Sequence, residues 1–415
     1  MPKVLFISYD GMTDPLGQSQ VIPYLTGLSK LGYDFTILSC EKSENYLLQK
    51  KEIKNLLRSF GIRWAPIAYH KKPPVFSTIY DIIQLYKKAK KLHSQSAFDM
   101  VHTRPGIPAL VGLKMKTRFG IKFLNDIREL YADSRADGHI WNLENFFYKK
   151  IYRFFKQQES AAVTKSDGIV CLTYAAEKII KSWPEYKLSI PLQVIPCSVD
   201  LNLFNPFHFD EEFKKRLRAD LHIKENEFIV SYLGSVGSWY LIDEMIRFFK
   251  IISDHNKNAK FLFISPNAKA ELLRLANKFK LDEKKIIVKK ATRKEVPALL
   301  SLSKFAVFFI KPCYSKQSSS PTKHGEIMAM GIPVITNQGV GDVEEIVTKY
   351  DSGVVLKELN DNEFHKAAAF ISSESFSDTN CIRHAAKEFY DLKSATEKYK
   401  TIYDKICTSS SNQIE

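Results

Sequence analysis

The stretch Ser318 to Ile346 reads SSSPTKHGEIMAMGIPVITNQGVGDVEEI, and it compresses a loop, a short helix, a strand and a second loop-to-helix turn. Ser320 has the side chain of an N-cap, and Pro321 suits a first helical position, where its missing N–H has no partner to lose. The spacing then predicts a helix through Ile327 and Met328, closed by Gly331. Pro333 to Thr336 is a short apolar strand, and Gly339 and Gly341 allow a tight turn after it. Asp342, with Glu345 three residues on, has the form of a capping box that opens another helix. Two helix N-termini are thereby expected close together at one sheet edge. Such ends present unpaired N–H groups and a positive dipole, which suits a phosphate. Lys323 adds a full positive charge, and Glu326, one turn in, offers a carboxylate to sugar hydroxyls. The stretch reads as a nucleotide-sugar site.

Working outward, Lys3 to Tyr9 is an apolar, β-branched run expected as a buried first strand. The turn-rich DGMTDPLGQSQ (Asp10 to Gln20) follows, then an amphipathic helix from Val21 to Lys30 and a strand from Asp34 to Cys40. This strand–loop–helix–strand order predicts a doubly wound α/β domain, whose ligands collect beyond the carboxyl ends of its strands. Further strands are expected at Phe98–His102, Lys122–Asn125, Gly168–Leu172 and Gln193–Pro196. After a polar, helix-prone segment the pattern restarts at Phe228–Leu233. That strand leads into a glycine-bearing loop at Gly234, with more strands at Lys260–Ile264, Lys285–Val288 and Phe305–Ile310.

Two sections of the chain therefore alternate strand and helix, which fits the length of 415 residues and the usual size of domains. The expected division is 1–208, 209–384, a last helix at 385–407 with Tyr399, Ile402, Tyr403 and Ile406 on one face, and a disordered polar tail at 408–415. Apolar residues at 45% and charged residues at 26% fit a water-soluble globular chain. No apolar run approaches the roughly 18 residues of a spanning helix, and Met1-Pro-Lys lacks the form of a secretory signal. Six scattered cysteines lack metal-ligand or scaffold spacing, so reduced thiols and a cytoplasmic location are expected. The net charge of +15 suits phosphate-bearing substrates, polyanions or an anionic membrane face without choosing among them.

The motif SSPTKHGEIMAMGIPVITN resembles the donor-site signature of retaining glycosyltransferases of family 4, which have the GT-B fold. DGMTDPLGQSQVIPYLTGL (Asp10 to Leu28) and VIPCSVDLNLF (Val194 to Phe204) resemble that family's first loop and inter-domain hinge, so the resemblance spans nearly the whole chain. It implies two Rossmann-like domains facing across a cleft, the first for the acceptor and the second for a nucleoside-diphosphate sugar, with no protein-bound metal or other cofactor. It assigns Glu326 to the ribose, and Ser320, Thr322 and the helix start to the phosphates. Gly17 lets backbone approach the donor phosphate or the acceptor. Two departures stand out. A second glutamate common in the family falls at Ser318, and the Arg and Lys that usually follow the first strand of the second domain are missing from Ser235 to Ile242. Lys311, Lys323 or Arg293 would then neutralise the diphosphate.

Asp126, Arg128 and Glu129 cluster at the end of the expected Lys122–Asn125 strand, where family members commonly have a histidine. They are candidates for acceptor binding or proton handling, or else a structural pair that fixes the loop. In Trp141 to Gln158 aromatics and basic residues interleave, as in helices that lie on anionic membrane, although a core-facing helix has the same period. The implied activity is sugar transfer to a lipid-linked or polysaccharide acceptor in cell-surface polysaccharide synthesis, at the inner face of the membrane. Three alternatives stay open: a sugar-nucleotide epimerase or hydrolase, a catalytically degenerate relative, and a nucleic-acid-binding protein. The last is disfavoured because lysines are spread over both domains and no nucleic-acid module is legible.

Overall fold

The computed structural model describes residues 1–237, 239–266, 269–373 and 378–408; of the tail expected at 408–415, Thr408 ends the last helix and the rest lies outside the described residues. The chain divides into two compact units, Met1–Cys197 with Leu392–Glu415, and Ser198–Asp391.

The first unit carries β1 (Lys3–Ser8), β2 (Asp34–Glu41), β3 (Arg63–Trp64), β4 (Ile67–Ala68), β5 (Met100–Arg104), β6 (Lys122–Ile127), β7 (Gly168–Cys171) and β8 (Leu192–Val194). They form an eight-stranded sheet of order β3-β2-β1-β5-β6-β7-β8, with β4 also on β2. Every pairing is parallel. Successive residues of β1 feed opposite cores. Val4 and Phe6 join Tyr399 and Tyr403 on one face, while Leu5 and Ile7 join Leu85 and Val111 on the other. Helices on both faces explain why β1 is a continuous apolar run rather than an alternating one.

The second unit repeats the plan with β9 (Phe228–Leu233), β10 (Ala259–Ile264), β11 (Ile286–Lys289), β12 (Phe305–Val307), β13 (Val334–Asn337) and β14 (Gly353–Leu356). Its six strands run β11-β10-β9-β12-β13-β14, all parallel. In each sheet the chain winds outward from a central strand and then restarts on that strand's other side. The switch points lie between β1 and β5 and between β9 and β12, where doubly wound sheets bind ligands.

The division between units falls at Cys197–Ser198 rather than at residue 208. Arg383 accounts for it: its guanidinium donates to the carbonyls of Leu201 (2.7 Å), Phe204 (2.5 Å) and Ala329, which ties 198–209 to the second unit. Phe204 is fully buried there. At the other end a single helix from 385 was expected. Instead two helices, Thr379–Tyr390 and Leu392–Thr408, break at Asp391, where Val199 N–H donates to Tyr390 O at 2.7 Å. The last helix belongs to the first unit and buries Tyr399, Ile402, Tyr403 and Ile406, the four residues expected on one face.

Candidate functional site

The SSSPTKHGEIMAMG stretch lies at the carboxyl edge of the second sheet. Three loops there are stitched by backbone hydrogen bonds. Leu241 N–H donates to Phe309 O (3.0 Å) and Lys311 N–H to Trp239 O (2.9 Å), which joins the loop after β9 to the chain after β12. Gly341 N–H donates to Lys316 O (2.9 Å), which adds the loop after β13. The buried Asn337 amide reinforces this, accepting from Ile310 N–H and donating to Ile310 O, both at 2.9 Å. The turn after β13 uses its glycines as expected, with φ +82° at Gly339 and +49° at Gly341.

The helix of the motif spans Thr322–Ala329 and ends at Gly331, whose φ is +68°. It starts one residue later than expected: Pro321, with ψ 116°, occupies the N-cap position, so Ser320 does not cap it. The capping box at Asp342 is not formed either. Asp342 sits at φ −97°, ψ 12°, in the bridge region rather than the extended conformation usual for an N-cap, and its side chain makes no capping bond to the helix Val343–Lys349.

Lys323 is buried, and its Nζ lies 3.1 Å from the Tyr232 hydroxyl and 3.7 Å above the Tyr240 ring. A Cβ at Gly234, whose φ is +139°, would come within 2.5 Å of that Nζ. Gly234 therefore makes room for the ammonium beside the β9 end of the switch point. Burial pushes Lys323 well below the usual lysine range, with Glu326 pulling the other way. Glu326, on the same helix, is also buried and accepts from Arg293 Nη1 at 2.6 Å. Burial pushes its carboxyl up against the opposing pull of Arg293. Arg293 is thus engaged by Glu326 rather than standing apart for a diphosphate. Next in the helix, His324 is fully buried, its imidazole pushed down by burial to about 3 and therefore neutral. Its Nδ1 meets the Tyr390 hydroxyl at 2.9 Å.

Ser318, at the family's glutamate position, is 1% exposed and donates its hydroxyl to Ser315 O at 2.7 Å. Ser320, Thr322 and Lys311 are half-buried around the same loops. Lys316 places its Nζ 3.6 Å above the Trp239 ring, in the loop that lacks the family's Arg and Lys. Sequence reasoning missed Tyr232, Tyr240 and Asn337, which read as ordinary strand and loop residues because their partners are distant in sequence.

In the first unit, Gly17 lies in a helix, Pro15–Gln20, where a plain loop was expected. A Cβ there would meet Gly11 O at 2.1 Å, so the loop after β1 folds onto this helix only with glycine. Glu41, which the sequence did not flag, holds that loop: its carboxylate accepts from Met12 N–H (2.7 Å), Thr13 N–H (3.1 Å) and the Thr13 and Ser39 hydroxyls (2.5 and 2.6 Å). Gly17→Ala is expected to cost about 1–3 kcal/mol by overpacking, read as a lowered urea midpoint.

The Asp126, Arg128 and Glu129 cluster separates. Asp126 lies inside β6, paired with Val170, and not beyond the strand end. It accepts from the Tyr399 hydroxyl (2.7 Å) and faces His102 Nε2 and Arg128 Nη1, each at 3.4 Å. Arg128 also donates to Ile195 O (3.3 Å), and His102 Nδ1 meets the Tyr403 hydroxyl at 2.7 Å. Burial pushes Asp126 up, but Arg128 and His102 outweigh it and hold it well below the usual carboxylate range. The arrangement anchors the last helix to the sheet, the structural role of the pair. Only Glu129 of the three is half-exposed; it accepts from Arg135 at 3.3 Å. Among the described residues no group of three His, Cys, Asp or Glu is placed to hold a metal, and no helix is long and apolar enough to cross a membrane.

Both sheets, their winding and the loops at their carboxyl edges define the GT-B class of fold, and solved structures agree. The chain is similar to sucrose-phosphate synthase from Thermosynechococcus elongatus (TM-score 0.74, 14% identity, 99% of this chain and 100% of that one). It is also similar to Anabaena Alr3699/HepE in complex with UDP and glucose (0.71, 12%, 97% and 100%) and to WaaG, a glycosyltransferase involved in lipopolysaccharide biosynthesis (0.68, 14%, 96% and 99%). Residues 213–388 match the family described as glycosyl transferases group 1. The domain match and the fold together support a glycosyltransferase. No curated protein matches the chain at a significant level.

Proposed function

We propose that the protein transfers a sugar from a nucleoside-diphosphate sugar in its second unit to a lipid-linked or polysaccharide acceptor, with retention of anomeric configuration, as in family 4. The observation that carries this reading is the buried Lys323 ammonium, 3.1 Å from Tyr232, beside Gly234 and one turn from Glu326. A lysine kept from water at a sheet's switch point is expensive to hold as a cation unless an anion completes it, and a diphosphate is such an anion. Lys323 and the first-turn N–H groups at Thr322 would stabilise the leaving diphosphate as its charge develops. Glu326, steadied by Arg293, would accept from the ribose hydroxyls, while Ser320 and Lys311 border the phosphates. No protein-bound metal takes part in this scheme. In the first unit Glu129 is the carboxylate open to an acceptor, while Asp126 and Arg128 anchor the last helix. The setting proposed is surface-polysaccharide synthesis at the inner face of the membrane.

Thermal shift against UDP, GDP, ADP and CMP tests this. The HepE complex with UDP makes the uridine nucleotide the first choice. A nucleotide at about a hundred times its Kd stabilises by about 2.7 kcal/mol, and Glu326→Ala is expected to abolish the shift. No shift with any nucleotide would defeat the proposal. Turnover of the sugar nucleotide unchanged by added acceptor would favour an epimerase or hydrolase instead.

A further inference from the structure

The first unit contains a groove of about 880 Å³ that the donor site does not use. That volume lies within the roughly 300–1,000 Å³ of small-ligand pockets. Its walls come from the helix Phe76–Ser96, the helix Ile107–Phe119 and the helix Phe146–Lys165, with Tyr9 and Tyr69 just past β1 and β4. Ile79, Ile83, Phe147 and Phe154 line it while remaining 46–51% exposed. The aromatic–basic stretch thus has two faces. Ala162 and Val163, further along the helix, pack inward, Phe155 is buried at the groove wall, and Phe147 and Phe154 line the groove while half-exposed.

Four cations, Lys71, Lys114, Lys150 and Arg135, line the same groove. Arg135 pairs with Glu129, whereas the three lysines form no ion pair with a carboxylate among the described residues. A smaller cavity shares Leu110, Tyr131, Phe155 and Gln158 with the groove and reaches Glu129, next to the carboxyl end of β6. The apolar channel therefore runs towards the sheet edge where an acceptor's polar end belongs.

We propose that this groove binds the hydrocarbon chain of a lipid-linked acceptor, with Lys71, Lys114 and Lys150 meeting the phosphate that joins lipid to sugar. The proposal rests on the glycosyl-transfer reading for the word acceptor, but not for the binding itself. Charge and shape select the occupant. Cations along an apolar wall complement a phosphate on a chain. The concave form suits one inserted chain better than a flat bilayer surface. A peptide would leave its backbone N–H and C=O groups against aliphatic and aromatic walls with few partners.

The test uses full-length protein and dodecyl phosphate below its micelle concentration, followed by tryptophan fluorescence, since Trp141 lines the groove. Saturable 1:1 binding is expected, with inorganic phosphate failing to compete. The double variant Ile79→Glu/Phe147→Glu, at exposed positions, should weaken it at least about ten-fold, and Lys71→Glu/Lys150→Glu should weaken it too. Unfolding curves of the variants matching the parent confirm that they fold. Binding unchanged by both double variants overturns the proposal. So does binding to anionic vesicles with none to the monomeric probe, which would assign the face to a bilayer. Self-association abolished by Ile79→Glu/Phe147→Glu, without probe binding, overturns it in favour of a second copy of the chain. The nucleotide thermal shift in the same samples separates the two readings. A shift without lipid binding rejects the groove alone, and lipid binding without a shift rejects the donor reading alone.

Discussion

Asp126→Ala is expected to destabilise the first unit by about 3–5 kcal/mol, the cost of leaving a buried charge without its partner. The substitution strands the Arg128 guanidinium, 8% exposed, and removes the acceptor of the Tyr399 hydroxyl. His102 cannot substitute, because burial pushes its imidazole down and keeps it neutral. Asp126→Ala/Arg128→Met should recover part of the loss, since an apolar pair costs less to bury than one unpaired charge. The sign of the pH dependence follows from Asp126 being held low. Its contribution is fully present above the unfolded carboxylate value of about 3.9 and is lost as pH falls below that towards the lower folded value. Urea midpoints from pH 7 down to pH 3 measure this. A cost under about 1 kcal/mol at pH 7 would show that water reaches the pair, and the anchoring role would fall.

This network also marks where the sequence stops being legible. The apolar stripe Tyr399, Ile402, Tyr403 and Ile406 follows from helical period alone. That Tyr399 and Tyr403 carry hydroxyls to Asp126 and His102, 273 and 301 residues away, leaves no local trace. Asp126 reads as lying just past a strand because charged residues there resemble a loop. The strand instead continues through Ile127, opposite Cys171, as buried partners beneath the last helix make the charge tolerable. The donor stretch is more readable because its structure is local. Gly331, Gly339 and Gly341 are needed for positive φ, and all three adopt it. Even so, Pro321 prefers the extended ψ it has, which moves the helix start off Ser320.

Lys323→Met should raise the melting temperature of the nucleotide-free protein while weakening nucleoside-diphosphate binding about ten- to hundred-fold, the worth of one charge-assisted contact. The two effects share one cause. Among the described residues the Tyr232 hydroxyl, two aromatic faces and the Glu326 charge are what offset the lost hydration of a buried Lys323 ammonium. Methionine fills the space without that cost, and a gain of about 1 kcal/mol corresponds to about 2–4 °C for a domain of this size. The pH dependence separates this from simple repacking. Between the lowered folded value and the unfolded value of about 10.4, the unfolded chain holds a proton at Lys323 that the folded chain does not, so this residue makes stability rise with pH. Below the folded value its cost is complete and constant. The variant should lose that rise. At pH values between the lowered folded value and the unfolded one, nucleotide binding should take up protons in the parent and not in Lys323→Met, which calorimetry in two buffers of different ionisation enthalpy detects. Gly234→Ala, which sets a methyl group against the same Nζ, should mimic the loss of binding without the gain in stability. Parent-like nucleotide affinity in Lys323→Met would show that the diphosphate is held elsewhere, and the reading of the switch point would have to be given up.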